Sequence, residues 1–116
     1  MSNFPITEST QIVDSLVEAY NAHDAQKFAA HFAEDANAYA HPSVLTQKGR
    51  ADIGAFYAQR FADLPELKTQ VLHRIVIGDY VIDHERVKRS HDQPPFDTLA
   101  INLVKDGYIQ RLDILR

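Results

Sequence analysis

The chain has 116 residues, of which 45% are hydrophobic, and its twelve Lys and Arg stand against sixteen Asp and Glu, for a formal net charge of −4. This apolar content can offset the entropy lost on folding, which excludes a disordered chain. The length is typical of one folded domain, and we predict a single domain over residues 1–116. The absence of cysteine excludes a disulfide framework, a thiolate nucleophile, a zinc-thiolate site and an iron–sulfur cluster.

Charge and apolar patterning exclude further classes of partner. The Lys and Arg residues are scattered and form no basic stripe, so we predict no nucleic-acid partner. The apolar runs, such as Ile75-Val76-Ile77, are too short to cross a membrane, so no membrane partner is expected. The first ten residues lack the charged and apolar regions of a signal peptide, and we therefore expect a cytoplasmic protein.

The first third of the chain shows helical spacing. Apolar residues recur every three or four positions over residues 9–22, which predicts a first helix with Thr7 as its N-cap. Asp24 is placed to cap a second helix, whose apolar stripe continues to about Ala33. We therefore predict two short helices that meet at a tight corner.

A strand and a third helix follow. Small residues alternate with larger polar ones over residues 36–41, a pattern typical of a strand that ends at Pro42. A loop through Gly49 is then expected, and the aromatic and aliphatic residues of 51–62 predict a helix. Small side chains on one face of the strand indicate that another element packs closely there.

The second half of the chain changes to strand patterns. Four stretches rich in Val, Ile, Leu and Tyr are separated by short turns, and they cover residues 67–77, 80–89, 98–105 and 108–115. This pattern predicts a four-stranded antiparallel meander. Helices that precede a run of strands favour an α+β domain, in which the helices cover one face of a curved sheet.

The order of these elements resembles the NTF2-like superfamily, nearest its SnoaL-like and ketosteroid-isomerase-like branches. The segments that carry the resemblance are Tyr20-Asn21-Ala22-His23-Asp24 with the residues up to Ala36, Gly49-Arg50-Ala51-Asp52-Ile53, and Asp106-Gly107. It implies a cone-shaped, cystatin-like fold with three N-terminal helices on a curved, mainly antiparallel sheet that encloses an apolar pocket. The superfamily contains isomerases, cyclases and hydrolases beside non-catalytic binding domains, so the fold alone does not fix the reaction.

The resemblance also implies where a steroid isomerase would carry its base. Counting back from Pro42 gives His41, whereas counting forward without a gap gives Ala40. A neutral imidazole can act as a general base at neutral pH, so we take His41 as a candidate catalytic residue. The alternative is that His41 is a solvent-exposed histidine at the end of a strand.

The other isomerase positions fall on residues without suitable chemistry. The family's tyrosine position in the first helix is Leu16, and its acid position lies across the last hairpin from Leu112. A two-residue turn would place Ile101 there, and a bulged turn would place Ala100 there. Neither can donate a hydrogen bond, so we expect the oxyanion donors of steroid isomerases to be absent.

Charged residues within the strand at 80–89 are the most unusual feature of the second half. If Gly78-Asp79 is a two-residue turn, Arg74 lies opposite Asp83, and Glu85 shares their face. The resemblance places this face in the pocket, where Asp83 and Glu85 would approach His41 and could activate water or abstract a proton. The favoured alternative for Asp83 is a cross-strand ion pair with Arg74.

The predicted ligand-binding residues share positions that should face the pocket, and they are Leu16, Tyr20, Tyr57, Asn102, Leu112, Ile114 and Arg116. Asn102 could orient a ligand carbonyl, and Arg116 could pair with Glu85 or hold an anionic ligand. No two histidines are spaced two apart on one strand and no Glu-x-x-His lies on one helix, so we predict no metal and no cofactor.

These residues predict a pocket protein for a small, mostly apolar molecule, with general acid/base chemistry through His41 and Glu85 or Asp83 as one hypothesis. The alternative hypothesis is a non-catalytic ligand-binding or dimerisation domain, so the sequence leaves open whether the protein is an enzyme. Both faces of the predicted sheet carry apolar residues, and only one can lie under the helices. We therefore expect a homodimer through the outer sheet face.

Overall fold

A computed structural model describes residues 6–116. In this range the helices are α1 (Glu8–Asn21), α2 (Ala25–Ala30) and α3 (Gly49–Asp63). The strands are β1 (Phe32–Ala40), β2 (Val44–Lys48), β3 (Lys68–Ile77), β4 (Tyr80–Lys88), β5 (Phe96–Lys105) and β6 (Tyr108–Leu115). The predicted α+β fold is confirmed: helices pack on one face of a curved, unclosed sheet.

Both predicted helix caps are confirmed. The Thr7 hydroxyl accepts a hydrogen bond from the Thr10 amide at 3.1 Å, and Asp24 accepts one from the Lys27 amide at 3.0 Å. The predicted end of the second helix at Ala33 is wrong, because Phe32 is fully buried and already pairs with β6. Sheet pairing therefore outweighs the helical spacing of the apolar residues in this segment.

The expected loop through Gly49 instead contains β2. This strand pairs antiparallel with the end of β1, and the Thr46 hydroxyl donates to the Ala38 carbonyl oxygen at 3.0 Å. Nearly all of β2 is exposed, so its sequence lacks the alternation of a half-buried strand. Gly49 follows with a φ of 87°, a conformation that glycine adopts without strain, and it begins α3 two residues earlier than predicted.

The strands form one sheet in the order β2-β1-β6-β5-β4-β3. The last four strands form the predicted antiparallel meander, and β1 joins β6 in parallel. The helices contribute Val13, Leu16, Ala19, Phe28 and Ile53 to the core beneath them. On the strands, Ala36, Ala38 and Ala100 face this core, and their small side chains leave space between sheet and helices. No helix between residues 6 and 116 combines the length and apolar character that crossing a membrane requires.

Candidate functional site

A cavity of about 310 Å³ lies between the helices and the inner face of the sheet. All seven predicted ligand-binding residues line it, namely Leu16, Tyr20, Tyr57, Asn102, Leu112, Ile114 and Arg116. Their positions follow from helix and strand periodicity, since Leu16 and Tyr20 lie one turn apart on α1 and Leu112 and Ile114 lie two apart on β6. That these residues bind a ligand stays a prediction.

Aromatic rings form one wall of the cavity. The ring centroids of Phe28 and Tyr57 lie 4.4 Å apart, and those of Tyr20 and Tyr57 lie 6.2 Å apart. Burial raises the pKa of both tyrosines, so their hydroxyls stay protonated at neutral pH. The positive charge of Arg60 on α3 acts against this rise in the pKa of Tyr20. The wall therefore combines apolar ring surface with neutral hydroxyl groups.

Glu85 on β4 brings a carboxyl group into this largely apolar cavity. It is partly buried, and its Oε1 accepts a hydrogen bond from the Thr69 hydroxyl at 3.1 Å. Burial, together with the negative charge of Asp83, raises the pKa of Glu85 to about 7, and the Thr69 hydrogen bond and the positive charge of Arg74 only partly oppose this rise. Glu85 is therefore a carboxyl that can both release and accept a proton near neutral pH.

Asp83 has a different role in the structure, and it does not line the cavity. Its side chain is 0% exposed, and Arg74 donates to both carboxylate oxygens, at 2.7 Å from Nε and 2.9 Å from Nη2. Arg74 also donates to Asp14 on α1 at 2.7 Å. The predicted cross-strand ion pair is confirmed, and the competing expectation that Asp83 faces the pocket is wrong, because Arg74 occupies its carboxylate.

The expected approach of His41 to the two carboxyl groups is also wrong. His41 is exposed and does not line the cavity, whereas Ala40, the other residue considered for the base position, does. Near the end of β1, Ala36 and Ala38 are buried and Ala40 continues their alternation, whereas His41 follows the last residue of the strand. The structure therefore brings Glu85 into the cavity without His41.

The register of the last hairpin changes a second expectation. A bulge between Leu103 and Val104 shifts the pairing, so the residue opposite Leu112 is Asn102 rather than Ile101 or Ala100. Asn102 carries an amide that can both donate and accept hydrogen bonds, so the expectation that this position lacks a hydrogen-bonding group is wrong.

The surroundings of the Asn102 amide leave one of its atoms without a partner. Its Nδ2 donates to the Val81 carbonyl oxygen at 3.5 Å, and its Oδ1 has no hydrogen-bond partner among residues 6–116. Asn102 as a whole is 1% exposed, so the free acceptor is also shielded from bulk solvent. Buried acceptors without a partner are uncommon in folded proteins, which makes this amide a candidate contact for a ligand or a bound water.

The sequence interpretation missed several polar residues of the cavity, and they are Thr46, Gln47, Arg60, Thr69 and Thr98. Thr98 is paired with Glu85 across β4 and β5, two residues from Ala100 on the inner face. Arg60 follows Phe56 by one helical turn on α3, so helical periodicity alone could have identified it. Among residues 6–116 no group of three or more His, Asp or Glu side chains is placed to hold a metal ion.

A family model described as the SnoaL-like domain matches residues 13–112. The chain belongs to this family. Among curated proteins, none matches the chain by sequence. The family assignment agrees with the fold, in which the matched range runs from the middle of α1 to β6.

Solved structures share the SnoaL-like architecture at low sequence identity. An uncharacterised cystatin-fold protein from Novosphingobium aromaticivorans is 21% identical, with a TM-score of 0.86 over 97% of this chain and 100% of that one. A candidate polyketide cyclase from Sinorhizobium meliloti is 21% identical, with a TM-score of 0.78 over 94% and 99% of the two chains. A Catenulispora acidiphila protein with a ketosteroid isomerase-like fold, in complex with trimethylamine, is 16% identical, with a TM-score of 0.75 over 90% and 83%. At these identities the likeness establishes the fold.

Proposed function

We propose that the cavity binds a small, mostly apolar molecule and that Glu85 transfers a proton to or from it. The observation that carries this proposal is the setting of Glu85, a carboxyl group on the wall of an apolar cavity with its pKa raised to about 7. General acid/base catalysis is most effective when the pKa of the catalytic group lies near the working pH. A carboxyl with its ordinary pKa of 4.5 would be almost fully ionised there and a weak base.

The shape of the cavity supports a small ligand. Its volume of about 310 Å³ lies at the lower end of the range of about 300–1,000 Å³ that small-molecule sites occupy. Apolar walls from Leu16, Leu112 and Ile114 favour an apolar skeleton, and the buried Asn102 amide offers a contact to one polar group. The structural neighbours named as a candidate polyketide cyclase and as a trimethylamine complex support small molecules as ligands of this fold.

Proton abstraction by Glu85 can be tested with a probe that needs only a base in an apolar cavity. With 5-nitrobenzisoxazole, loss of the ring C–H proton to the base breaks the N–O bond and releases a coloured phenolate. We expect the wild-type protein to accelerate this reaction, with a rate that rises through about pH 7, and Glu85→Gln to lose on the order of a hundredfold or more. Glu18→Gln, an exposed carboxylate on α1, is the matched control and should keep the wild-type rate.

The rates of this reaction distinguish proton transfer by Glu85 from a purely binding role of the cavity. Equal rates for the wild type and Glu85→Gln would contradict proton transfer by Glu85. A non-catalytic binding domain is the second candidate. The observation that favours it is that, among residues 6–116, only Thr69 forms a hydrogen bond with the Glu85 carboxylate. A binding domain would take up the probe, seen as a rise in Tm, without accelerating its ring opening.

We also propose that the protein is a homodimer through the outer face of the sheet. This face carries exposed apolar side chains on edge strand β3, where Ile75 is 56% exposed and Ile77 is 62% exposed. Ile82 and Ile101 continue the row of Ile75 across β4 and β5, so the apolar surface is contiguous. Light scattering after size exclusion should give a dimer at micromolar concentration and a monomer for Ile75→Glu; a monomeric wild type would contradict the proposal.

A further inference from the structure

Three arginines, Arg60, Arg89 and Arg116, line the cavity or the groove that adjoins it, and we call this region the mouth of the cavity. Arg60 on α3 and Arg116 after β6 both line the cavity, and Arg60 also lines the adjoining groove together with Arg89. The guanidinium carbons of Arg89 and Arg116 lie over the ring of Phe96, at 4.5 Å and 4.3 Å from its centroid. Stacking on one ring holds these two cations near each other at the cavity edge.

These three arginines differ from Arg74 and Arg111, which form ion pairs with aspartates. Arg74 and Arg111 each bind an aspartate at 2.7–2.8 Å, whereas within residues 6–116 no carboxylate lies within 4.0 Å of the guanidinium nitrogens of the three mouth arginines. Guanidinium groups beside an apolar cavity are well suited to bind a carboxylate, since their paired N–H donors match its two oxygens. The positive mouth is also a local exception in a chain whose net charge is −4.

The acidic residues of this region contact side chains other than the three arginines. Asp63 lies in the adjoining groove, where its Oδ1 accepts a hydrogen bond from Gln59 at 2.8 Å. Glu66 binds the ring of His91 at 2.9 Å. Inside the cavity, the raised pKa of Glu85 keeps much of that carboxyl neutral below pH 7, so it opposes a bound anion only weakly there.

We propose that the ligand is a small hydrophobic carboxylic acid whose carboxylate is held at the mouth by Arg60, Arg89 and Arg116, with its apolar skeleton in the cavity. This inference rests on the proposed function, because it concerns the same cavity, and it specifies the chemical class of the ligand. The arginines supply both selection by charge and a fixed orientation, since the charged end stays at the mouth and the apolar end points toward Leu112 and Asn102.

Three probes with the same ring and different charge test the proposal by calorimetry at pH 6: 2-naphthoate, 2-naphthalenemethanol and 2-naphthylmethylammonium. We expect the carboxylate to bind at least about tenfold more tightly than the alcohol, the ammonium to bind most weakly, and added salt to reduce the difference. Arg116→Gln and Arg89→Gln should each remove several-fold of the affinity for the carboxylate and leave the alcohol unchanged. Arg86→Gln, an exposed arginine that binds Asp97, is the matched control and should change neither affinity.

The possible failures are distinguishable. Binding of the alcohol with no preference for the carboxylate would overturn the anionic ligand and leave the proposed apolar cavity site standing. An equal loss of affinity for all three probes in the arginine variants would also overturn it, because it would indicate a structural role. If none of the probes binds the wild type, the result contradicts both the proposal of an anionic ligand and the proposed function.

Discussion

Asp83 and Glu85 lie two residues apart on the same face of β4, yet their environments are opposite. Asp83 is fully buried with both oxygens held by Arg74, and Glu85 is partly buried on the cavity wall with one hydrogen bond from Thr69. The same residue chemistry therefore gives a buried ion pair at one position and a carboxyl with a raised pKa at the other.

The cause of the difference is the residue that each neighbouring strand places beside the carboxyl. Arg74 on β3 is directly opposite Asp83, whereas a bulge between Val71 and His73 places apolar Val71 opposite Glu85. On the other side, Ala100 is opposite Asp83 and Thr98 is opposite Glu85. Among residues 6–116 no cation forms an ion pair with Glu85, so burial and the charge of Asp83 raise its pKa.

The largest effect on stability is expected when the ion pair is broken. Asp83→Ala leaves Arg74 buried without its bidentate partner and should cost about 3–5 kcal/mol in the free energy of unfolding. Asp14→Ala is the control on the same arginine, and because the Asp14 side chain is 53% exposed it should cost about 1 kcal/mol or less. Urea unfolding of both variants tests this ranking, which a similar loss in the two would refute.

The next effect has the opposite sign, since Glu85→Gln should stabilise the protein at alkaline pH. The pKa of Glu85 rises from 4.5 to about 7 on folding, so its contribution to stability is full below pH 4.5, falls between pH 4.5 and 7, and stays low above that. Gln does not ionise. The free energy of unfolding of the variant should therefore exceed that of the wild type by up to about 3 kcal/mol at pH 8 and by little at pH 4. Urea unfolding across this pH range measures it, and a constant difference would contradict the explanation.

The smallest effect concerns the hydroxyl that contacts Glu85. Thr69→Val removes the hydrogen bond that lowers the pKa of Glu85, so that pKa should rise further. The loss of stability should be about 1 kcal/mol. The pH dependence of benzisoxazole ring opening should shift upward in this variant, and a downward shift would show that Thr69 does not stabilise the ionised form.

The sequence predicts much of the fold because long apolar patterns determine it. The helix caps at Thr7 and Asp24 and the four-stranded meander are all local or strongly periodic features. Strand β2 escapes prediction because it is exposed and carries no alternation, and α2 ends early because sheet pairing takes over at Phe32. Local pattern thus gives the type of element, and tertiary pairing determines where it ends.

The candidate site is only partly predictable, because it depends on register. The alternation of side chains along β4 correctly places Asp83 and Glu85 on one face. No sequence pattern, however, locates the bulges that place Val71 opposite Glu85 and Asn102 opposite Leu112. Counting back from Pro42 selects His41 and counting forward selects Ala40, and in the structure it is Ala40 that lines the cavity. The alternation of side chains along a strand predicts the inner face more reliably than the distance from a proline, since it follows from strand geometry.

The most direct measurement is the titration of the Glu85 side-chain carboxyl by ¹³C NMR, with its resonance assigned by comparison with Glu85→Gln. A midpoint at about pH 7 is expected for a carboxyl in the apolar cavity beside Asp83. A midpoint near the ordinary value of 4.5 would show that Glu85 is fully ionised at neutral pH, and it would contradict its role in proton transfer.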